Sequence, residues 1–345
     1  MMTSTNTVDI FKFLKDYKYD STFGKGGGGE AQLWARTESA KTSVCNKAAF
    51  VVVKTIKTKV NNPYPMEVAW MDRLKPYKHP NIVGFLGFAE WDLRSESVRM
   101  MLEYCSGGDL HRCIKRYDQQ EKHFKEHELW DITKSMLSAL AFLHEGCVMT
   151  GRRIRDWKAI IHCDIKPANI LACPRPDNTV HCKLADFGLS VFEASEPKTN
   201  LKYFGTYDWQ PPEMPAITTP AADVWSVGAV LHFLVHREPP IDPRPRAIKV
   251  NVHPDFQKEQ DRKLWDRSII PINIEDATKR WTHWPKCRRY KGILGMAWER
   301  AFSDELNGFM MRMLSTDPQD RPRARELEKE MQKVMWAKKI SSYVT

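Results

Sequence analysis

The sequence lacks the features that mark several classes of protein. Its eight cysteines are scattered without a Cys-x-x-Cys pair, which favours reduced thiols in the cytoplasm or nucleus over a disulfide or zinc framework. The start, Met-Met-Thr-Ser-Thr-Asn, has no basic stretch followed by an apolar one, so we expect no secretory signal. No apolar run is long enough to span a bilayer, and no internal repeat is visible. We therefore expect a globular protein of the cytoplasm or nucleus.

Acidic side chains are also in the minority. Lys and Arg number 53 against 43 Asp and Glu, which gives a formal net charge of +10 at pH 7. Such an excess attracts acidic partners over a long range, but it does not specify one. Hydrophobic residues make up 42% of the 345 residues, which is ample for a core, and this length allows two packed units.

What the chain does contain is a closely spaced set of residues suited to phosphoryl transfer. Residues 162–169 read His-Cys-Asp-Ile-Lys-Pro-Ala-Asn, and residues 186–188 read Asp-Phe-Gly. Phosphoryl transfer needs a carboxylate that receives the proton of the attacking hydroxyl, and oxygen ligands that hold Mg²⁺ on the phosphates. Asp164 is the candidate base. Asn169 and Asp186 are the candidate metal ligands.

The order and spacing of these segments resemble the eukaryotic protein kinases, whose signatures read His-Arg-Asp-Leu-x-x-x-Asn and Asp-Phe-Gly. The resemblance extends from about residue 19 to residue 338. It implies an α+β bilobal protein-kinase fold, with a small antiparallel-sheet N-lobe that carries one helix, named αC in the family, and a larger, mainly helical C-lobe. It also implies ATP and Mg²⁺ as cofactors.

A glycine-rich segment resembles the family's loop over the ATP phosphates. Residues 24–31 fit the pattern Gly-x-Gly-x-x-Gly-x-Val, with alanine in the valine position. Glycine runs also occur in flexible tethers, but the flanking apolar residues Phe23, Leu33 and Trp34 favour a turn between strands that approaches a ligand closely. The nucleotide contacts implied here are Phe23, Gly24, Lys25, Gly26, Gly27, Gly28, Gly29, Glu30 and Ala31.

A lysine and a glutamate further along resemble the ion pair of the family's N-lobe. The β-branched run at 48–53 ends in Lys54, which resembles the lysine that reaches the α- and β-phosphates. Residues 66–74 carry apolar side chains at helical spacing, which predicts a helix, and Glu67 on it resembles the glutamate that pairs with the lysine. Val52 stands where the family usually has alanine, and the resemblance implies that it crowds the roof of the adenine site.

Residues 101–110 resemble the hinge between the lobes, which borders the adenine. Leu102 stands in the gatekeeper position, and Asp109 is expected to face the ribose. With the roof and floor of the site included, the further nucleotide contacts implied by the resemblance are Val52, Lys54, Leu102, Glu103, Cys105, Asp109 and Leu171.

Other segments predict the framework of the C-lobe. Residues 223–231 are hydrophobic nearly all round, which predicts a central buried helix. The resemblance implies a buried ion pair between Glu213 and Arg321. Apolar residues at spacings of three and four predict the buried face of a long helix before the catalytic loop: Leu129, Ile132, Met136, Leu140 and Leu143.

The motifs also predict how the chain is divided. The units are an N-terminal extension at 1–18, the N-lobe at 19–104, the C-lobe at 105–338 and a tail at 339–345. The C-lobe carries insertions near 147–158 and 242–295. Within the second, residues 279–290 interleave basic and aromatic side chains, as single-strand nucleic-acid grooves do, but a packed surface loop is the simpler interpretation and a protein-docking loop is a further alternative.

The catalytic loop, residues 162–169, indicates which hydroxyl group accepts the phosphoryl group. Lys166, two residues after the base, is the pattern of Ser/Thr kinases, whereas tyrosine kinases usually place Ala-Ala-Arg there. Thr206 is expected to hydrogen-bond both the base and this lysine. We therefore expect a serine or threonine hydroxyl of a protein substrate as acceptor. The short segments at 79–83 and 103–110 resemble those of NIMA-related kinases. The implied catalytic residues are Lys54, Glu67, Asp164, Lys166 and Thr206.

Two departures bear on regulation. Cys163 replaces the arginine that pairs with a phosphate on the activation loop, so we expect that phosphorylation of Ser195, Thr199 or Tyr203 is not obligatory for activity. Trp209 replaces the usual tyrosine of the substrate-docking loop.

Three hypotheses for the function follow. An active Ser/Thr kinase is favoured because the lysine, glutamate, base and metal ligands are all present. A pseudokinase scaffold, which binds nucleotide or partners without turnover, is suggested by the glycine-heavy loop, Val52 and Cys163. A nucleic-acid-binding module rests on residues 279–290 alone, and nucleic acid is not the expected partner.

Overall fold

The chain folds into an N-lobe built on a sheet and a C-lobe built on helices. The computed structural model describes residues 7–26, 29–38, 40, 48–58, 65–92, 96–175, 179–193, 205–213, 218–237, 239–240 and 302–338. Predicted features that lie outside the described residues are Gly27, Gly28, Ser195, Thr199, Tyr203, the insertion at 242–295 and the tail at 339–345.

Five antiparallel strands form the N-lobe sheet, in the order β1-β2-β3-β5-β4. Because side chains alternate along a strand, β3 presents Val52 and Lys54 on one face and the buried Val51 and Val53 on the other. The register places Leu33 of β2 and Leu102 of β5 beside Val52, so these three side chains share the face that turns toward the C-lobe. The strands are β1 (Tyr17–Gly26), β2 (Gly29–Arg36), β3 (Phe50–Lys57), β4 (Phe85–Asp92) and β5 (Ser97–Glu103).

A short N-terminal helix, α1 (Ile10–Asp16), covers the opposite face of this sheet. The carboxylate of Asp9 caps it by accepting hydrogen bonds from the backbone N–H groups of the first turn. Val8 donates a backbone hydrogen bond of 2.7 Å to the carbonyl of Phe88 in β4. Phe13 is 1% exposed. Its cluster includes Tyr17, Val51, Val53 and Met101, with Trp34 at the margin.

Helix α2 (Met66–Leu74) forms where the sequence predicted it, and it packs against β4. Its buried face includes Glu67, Val68, Trp70, Met71 and Leu74. Glu67 is a charged residue on an otherwise apolar face, so it needs a partner in the interior.

Five helices form the framework of the C-lobe among the described residues. In α4, all five residues of the predicted apolar stripe are buried, and the predicted central helix is buried along most of α5. Both predictions are confirmed. The helices are α3 (Leu110–Gln119), α4 (Glu126–Glu145), α5 (Pro220–His236), α6 (Asp304–Met313) and α7 (Ala324–Lys338).

The predicted ion pair between Glu213 and Arg321 is also confirmed. The guanidinium donates two parallel hydrogen bonds of 2.5 and 2.7 Å to the carboxylate, and it lies over the ring of Trp225 in α5. Burial makes the loss of either partner costly, because the remaining charge is left without compensation.

Among the described residues, five short strands between the N-lobe sheet and α5 carry the catalytic segments. They form a three-stranded sheet, β6-β8-β9, and a two-stranded pair, β7-β10. A 3₁₀ turn at Pro167–Asn169 leads into β8. The strands are β6 (Gly108–Asp109), β7 (Ile160–Ile161), β8 (Ile170–Pro174), β9 (Val180–Leu184) and β10 (Val191–Phe192).

The insertion predicted near 147–158 packs against the end of α4. The indole N–H of Trp157 donates a 2.8 Å hydrogen bond to the carbonyl of Leu143, and its ring lies 5.2 Å from that of Phe142. No helix in the described part of the chain is both long and apolar enough to cross a membrane.

Candidate active site

The cleft between the lobes holds a three-membered charge cluster. The Lys54 ammonium lies 2.7 and 2.8 Å from the two carboxylate oxygens of Glu67 and 3.0 Å from Oδ1 of Asp186. The predicted pairing of Lys54 with Glu67 is confirmed. Through Asp186, the cluster also joins β3 and α2 of the N-lobe to the segment that follows β9 of the C-lobe.

Burial and charge oppose each other in this cluster. Burial raises the pKa of Glu67 to about 6, against the attraction of Lys54. For Lys54, burial disfavours the charged form, but the carboxylates of Glu67 and Asp186 outweigh it and raise its pKa. The same ammonium outweighs the effect of burial on Asp186, whose pKa is lowered. At neutral pH the lysine and both carboxylates are therefore charged.

A second cluster surrounds Asp164. The ammonium of Lys166 lies 2.7 Å from Oδ2 of Asp164 and 2.7 Å from the hydroxyl of Thr206. The backbone N–H of Thr206, at 3.0 Å, and its hydroxyl, at 2.9 Å, both donate to Oδ1 of Asp164. The structure thus brings together the three residues that the sequence placed at the phosphoryl acceptor.

Asn169 connects this cluster to the candidate metal site. Its amide nitrogen donates to the carbonyl of Asp164 at 2.8 Å and to Oδ2 of the same residue at 3.0 Å. Its amide oxygen is then the acceptor that the side chain can offer to a cation. The backbone N–H of Ala185 donates a 2.9 Å hydrogen bond to the carbonyl of Asn169. This contact places Asp186, the next residue along the chain, near Asn169.

The donor set around Asn169 and Asp186 fits Mg²⁺. This cation is usually held by one or two protein oxygens together with phosphate oxygens and water, rather than by a full cage of side chains. No group of three or more His, Cys, Asp or Glu that could hold a metal occurs among the described residues.

Sequence reasoning missed the residue that anchors the catalytic loop. Asp223, near the start of α5, accepts backbone hydrogen bonds from His162 at 2.8 Å and from Cys163 at 3.0 Å, and it contacts His144 at 2.9 Å. Cys163 has φ 67°, a left-handed conformation that costs energy for a residue with a side chain. The anchoring helps to hold the loop in this conformation. The only sequence signal was an acidic residue at the start of an apolar helix.

The loop and the Asp-Phe-Gly segment are packed together behind the site. The ring of His162 lies 4.9 Å from that of Phe187, and its Nε2 lies 3.1 Å from the carbonyl of Ala185. His162 is fully buried, and burial lowers its pKa despite the nearby carboxylates. A neutral ring in this position packs as part of the core.

The glycine-rich hairpin is formed by β1 and β2. In the antiparallel register Lys25 pairs with Glu30, Gly26 with Gly29 and Gly24 with Ala31. Gly29 has φ +116°, and a Cβ there would lie 2.2 Å from the carbonyl oxygen of Thr55 in β3. Only glycine fits this approach. Phe23 stacks against Tyr104 of the hinge, with 6.1 Å between ring centroids.

Several of the residues expected to contact the adenine lie close together where the two lobes meet. Val52 and Leu102 are neighbours in the register of β3 and β5, and Leu171 of β8 pairs with Asp109 from the side of the C-lobe. Cys105 is buried in the hinge. The carboxylate of Glu103 accepts a hydrogen bond from the backbone of the segment before β4, so this side chain is occupied outside the cleft.

Asp109 has a contact that the sequence did not indicate. Its carboxylate caps α3 by accepting from the backbone N–H of Arg112 at 2.9 Å, and it lies 3.2 Å from Nε of the same residue. The guanidinium of Arg112 also donates a 2.9 Å hydrogen bond to the carbonyl of Phe23 in β1. Arg112 therefore links the two lobes beside the expected ribose position.

Comparison with known families identifies the fold. The model of the protein kinase domain matches residues 17–331. The chain belongs to the protein kinase family. By sequence the kinase is of the eukaryotic Ser/Thr type and NIMA-like, and it has Cys163 in place of the catalytic-loop arginine.

Relatives of the kinase include fungal proteins. Cytokinesis protein sepH of Aspergillus terreus is 30% identical over 254 residues, which cover 72% of this chain and 16% of sepH. G2-specific protein kinase nimA of Emericella nidulans is 33% identical over 190 residues, or 50% of this chain and 26% of nimA. G2-specific protein kinase fin1 of Schizosaccharomyces pombe is 34% identical over 167 residues, or 46% and 22%. The kinase thus aligns with about a quarter or less of each of these relatives.

Proposed function

We propose that the protein phosphorylates serine or threonine hydroxyls of protein substrates in an ATP-dependent reaction. The observation that carries the proposal is the hydrogen-bond network around Asp164, in which Lys166, Asn169 and Thr206 all contact its carboxylate. Such a network fixes the orientation of a carboxylate that has to receive a proton.

In the proposed reaction, Asp164 orients the hydroxyl of the substrate and accepts its proton. Lys166, which contacts the same carboxylate, stabilises negative charge on the transferring phosphoryl group. The hydroxyl of Thr206 holds the base and the lysine at a fixed separation. Since most of the catalysis in phosphoryl transfer comes from positioning and electrostatics, this preorganisation is the main contribution of the loop.

The nucleotide is proposed to bind between the glycine-rich hairpin and the hinge. Lys54 holds the α- and β-phosphates, and Glu67 orients it through the two short contacts described above. Asn169 and Asp186 would hold Mg²⁺, which would neutralise negative charge on the phosphates of the nucleotide. The joined state of Lys54 and Glu67 is the arrangement that the active form requires.

The test compares the wild-type protein with Asp164→Asn in the presence of Mg²⁺, labelled ATP and a generic basic protein. We expect label transfer by the wild type and a loss of roughly 10²- to 10⁴-fold in the variant, the range for general-base catalysis. Asp304→Asn, an exposed substitution of the same type, is the control and should keep full activity. Acid hydrolysis of the labelled product should release phosphoserine or phosphothreonine, and phosphotyrosine would contradict the proposed acceptor.

A pseudokinase scaffold is the second candidate. Val52 faces the adenine side of the cleft, and Arg112 occupies the carboxylate of Asp109 that is expected to contact the ribose. Both features oppose tight binding of ATP. Nucleotide binding without any label transfer would select the scaffold over the enzyme.

We place the proposed activity in the cytoplasm or nucleus. The support is chemical: six cysteines lie among the described residues, and all six are free thiols. Protein substrates with a serine or threonine acceptor are the proposed partners.

A further inference from the structure

Two cysteines from distant parts of the chain meet where the hinge passes the C-lobe. Cys105 lies in the hinge shortly before Gly107, and Cys173 follows Ala172 in β8. The backbone N–H of Gly107 donates a 3.1 Å hydrogen bond to the carbonyl of Ala172. A Cβ at Gly107 would lie 2.5 Å from the same carbonyl oxygen, so only glycine allows this approach. The two backbones are therefore held together next to both cysteines.

The side chains of these two cysteines are in contact. Cys105 and Cys173 share a hydrogen bond between their sulfur atoms, and both are free thiols. A disulfide requires the two Cβ atoms to lie about 3.5 to 4.5 Å apart. Because the sulfurs already touch, we expect a disulfide to need an adjustment of the two side chains and not the movement of a strand or helix.

A third cysteine nearby, Cys182 in β9, faces away from Cys173. In the register of β8 and β9, Cys182 pairs with Ala172 and Cys173 pairs with His181. Because successive side chains of a strand point to opposite faces, Cys182 and Cys173 lie on opposite faces of this sheet. Cys182 is also fully buried, and burial raises its pKa. Among the described cysteines, Cys105 is therefore the one placed to react with Cys173.

The hydrogen bond between the two thiols has a direction. It lowers the pKa of Cys173, against the effect of burial, and it raises the pKa of Cys105, which burial raises further. Lys183 and Arg175 also lower the pKa of Cys173, whereas Glu103 raises it. Cys105 is therefore the donor and Cys173 the acceptor. Since the thiolate is the reactive form and Cys173 is the more exposed of the two, we expect oxidation to begin at Cys173.

We propose that Cys105 and Cys173 form a redox-sensitive pair, in which hydrogen peroxide oxidises Cys173 to a sulfenic acid and Cys105 converts this to a disulfide. In the first step the sulfur of Cys173 attacks one peroxide oxygen, the O–O bond breaks, and the hydroxide that leaves takes up a proton to give water. In the second step the sulfur of Cys105 attacks the sulfenic sulfur and the S–O bond breaks. The departing hydroxide leaves with the thiol proton of Cys105 as a second water. Each disulfide thus consumes one peroxide, and a dithiol reverses the reaction.

The disulfide would fix the hinge to β8 beside the cleft. Leu171, in the same strand as Cys173, pairs with Asp109, and both are expected contacts of the nucleotide. A change in nucleotide binding on oxidation would rest on the proposed function, whereas the disulfide itself does not. A reversible bond of this kind matches the transient, redox-sensing disulfides of reducing compartments.

The experiment treats the reduced full chain with hydrogen peroxide, blocks the remaining thiols with iodoacetamide in denaturant and identifies disulfides by mass spectrometry. Cleavage after Lys and Arg, except before Pro, and before Asp places Cys105 in residues 100–108 and Cys173 in residues 164–176, each as the only cysteine of its peptide. We expect these two peptides to be joined and dithiothreitol to separate them. Cys163, which is also partly exposed but has a pKa raised by burial, is the internal control. It should be oxidised at least about tenfold more slowly than Cys173.

Two variants test the order of the steps. Cys105→Ser should leave a sulfenic acid on Cys173, which dimedone traps, and Cys173→Ser should leave Cys105 as a thiol. Thermal unfolding verifies that both variants are folded, and Cys105→Ala replaces Cys105→Ser if the latter is not.

Four results would overturn the proposal. The first is the absence of the joined peptides in oxidised wild type. The second is a disulfide between Cys173 and Cys182 in place of the expected one. The third is oxidation of Cys163 as fast as that of Cys173. The fourth is a disulfide between molecules, which a mixture of ¹⁴N- and ¹⁵N-labelled protein reveals as joined peptides that carry one label each.

Discussion

Among single residues, Thr206 contacts both the candidate base and the lysine beside it. Its hydroxyl lies 2.9 Å from Oδ1 of Asp164 and 2.7 Å from Nζ of Lys166. We predict that Thr206→Val lowers kcat about 10- to 100-fold, because hydrogen bonds to charged groups contribute about 1.5 to 3 kcal/mol. Steady-state phosphorylation kinetics give the measurement.

The control for this prediction is Thr206→Ser, which keeps the hydroxyl and should retain most of the activity. If the valine and serine variants lose activity equally, the hydroxyl has no part in positioning the base. The KM for ATP should change little in either variant, since Thr206 contacts the acceptor side of the site.

The free energy of unfolding depends on pH through the carboxyl group of Glu67. Its pKa rises from 4.5 to about 6 on folding because burial disfavours the carboxylate. The folded protein therefore holds this proton more tightly than the unfolded chain, and the contribution of the group to stability is complete below pH 4.5 and is lost as the pH rises through 6. A shift of this size corresponds to about 2 kcal/mol.

We predict that the difference in the free energy of unfolding between wild type and Glu67→Gln falls by up to about 2 kcal/mol from pH 4.5 to pH 7. Urea denaturation at half-unit steps of pH measures it, and the variant serves as the reference because all other groups titrate in both proteins. A difference that stays constant over this range would contradict a raised pKa at Glu67.

At the scale of elements, α1 stabilises the N-lobe by covering the outer face of its sheet. Phe13 is 1% exposed, whereas Phe11 on the same helix is 77% exposed. We predict that Phe13→Ala lowers the free energy of unfolding by about 3 to 5 kcal/mol, the usual cost of removing a buried aromatic ring. Phe11→Ala should change it by no more than about 0.5 kcal/mol. Equal effects in chemical denaturation would contradict the packing described for α1.

Elements were predictable where a local pattern matched their packing. The stripe from Leu129 to Leu143 repeats every three or four residues over a long helix, so its burial could be read from the sequence. Helix α1 has seven residues, too few to be stable alone, and its existence depends on contacts with strands far along the chain. The sequence therefore predicted only an extension there, and that domain boundary stays a prediction.

Some contacts of the candidate site could likewise be predicted from the sequence, and others could not. The pairing of Lys54 with Glu67 was predictable because each residue stands in a motif with a known partner. The anchoring of the catalytic loop by Asp223 could not be predicted, since it joins residues about 60 positions apart and no local pattern marks it. The link from Arg112 to the carbonyl of Phe23 was missed for a similar reason, because a backbone acceptor leaves no trace in the sequence.

At the scale of the whole molecule, the two lobes are joined behind the cleft by α2. The indole N–H of Trp70 donates a 2.9 Å hydrogen bond to the carbonyl of Ser190, two residues after the Asp-Phe-Gly segment. Its ring also lies 4.7 Å from that of Phe192 in β10. Since Glu67 stands one turn earlier on the same helix, this contact helps to hold Glu67 beside Lys54.

We predict that Trp70→Phe lowers kcat/KM for ATP about two- to tenfold, because the phenyl ring fills most of the space but cannot donate the hydrogen bond, whose net contribution is about 0.5 to 1.5 kcal/mol. Phosphorylation kinetics at varied ATP measure the effect. Trp336→Phe, at a position on α7 that is 68% exposed, is the matched control and should behave like the wild type. If Trp70→Phe is folded and fully active, the position of α2 does not depend on its contact with the C-lobe, and the pairing of Lys54 with Glu67 is then maintained by the N-lobe alone.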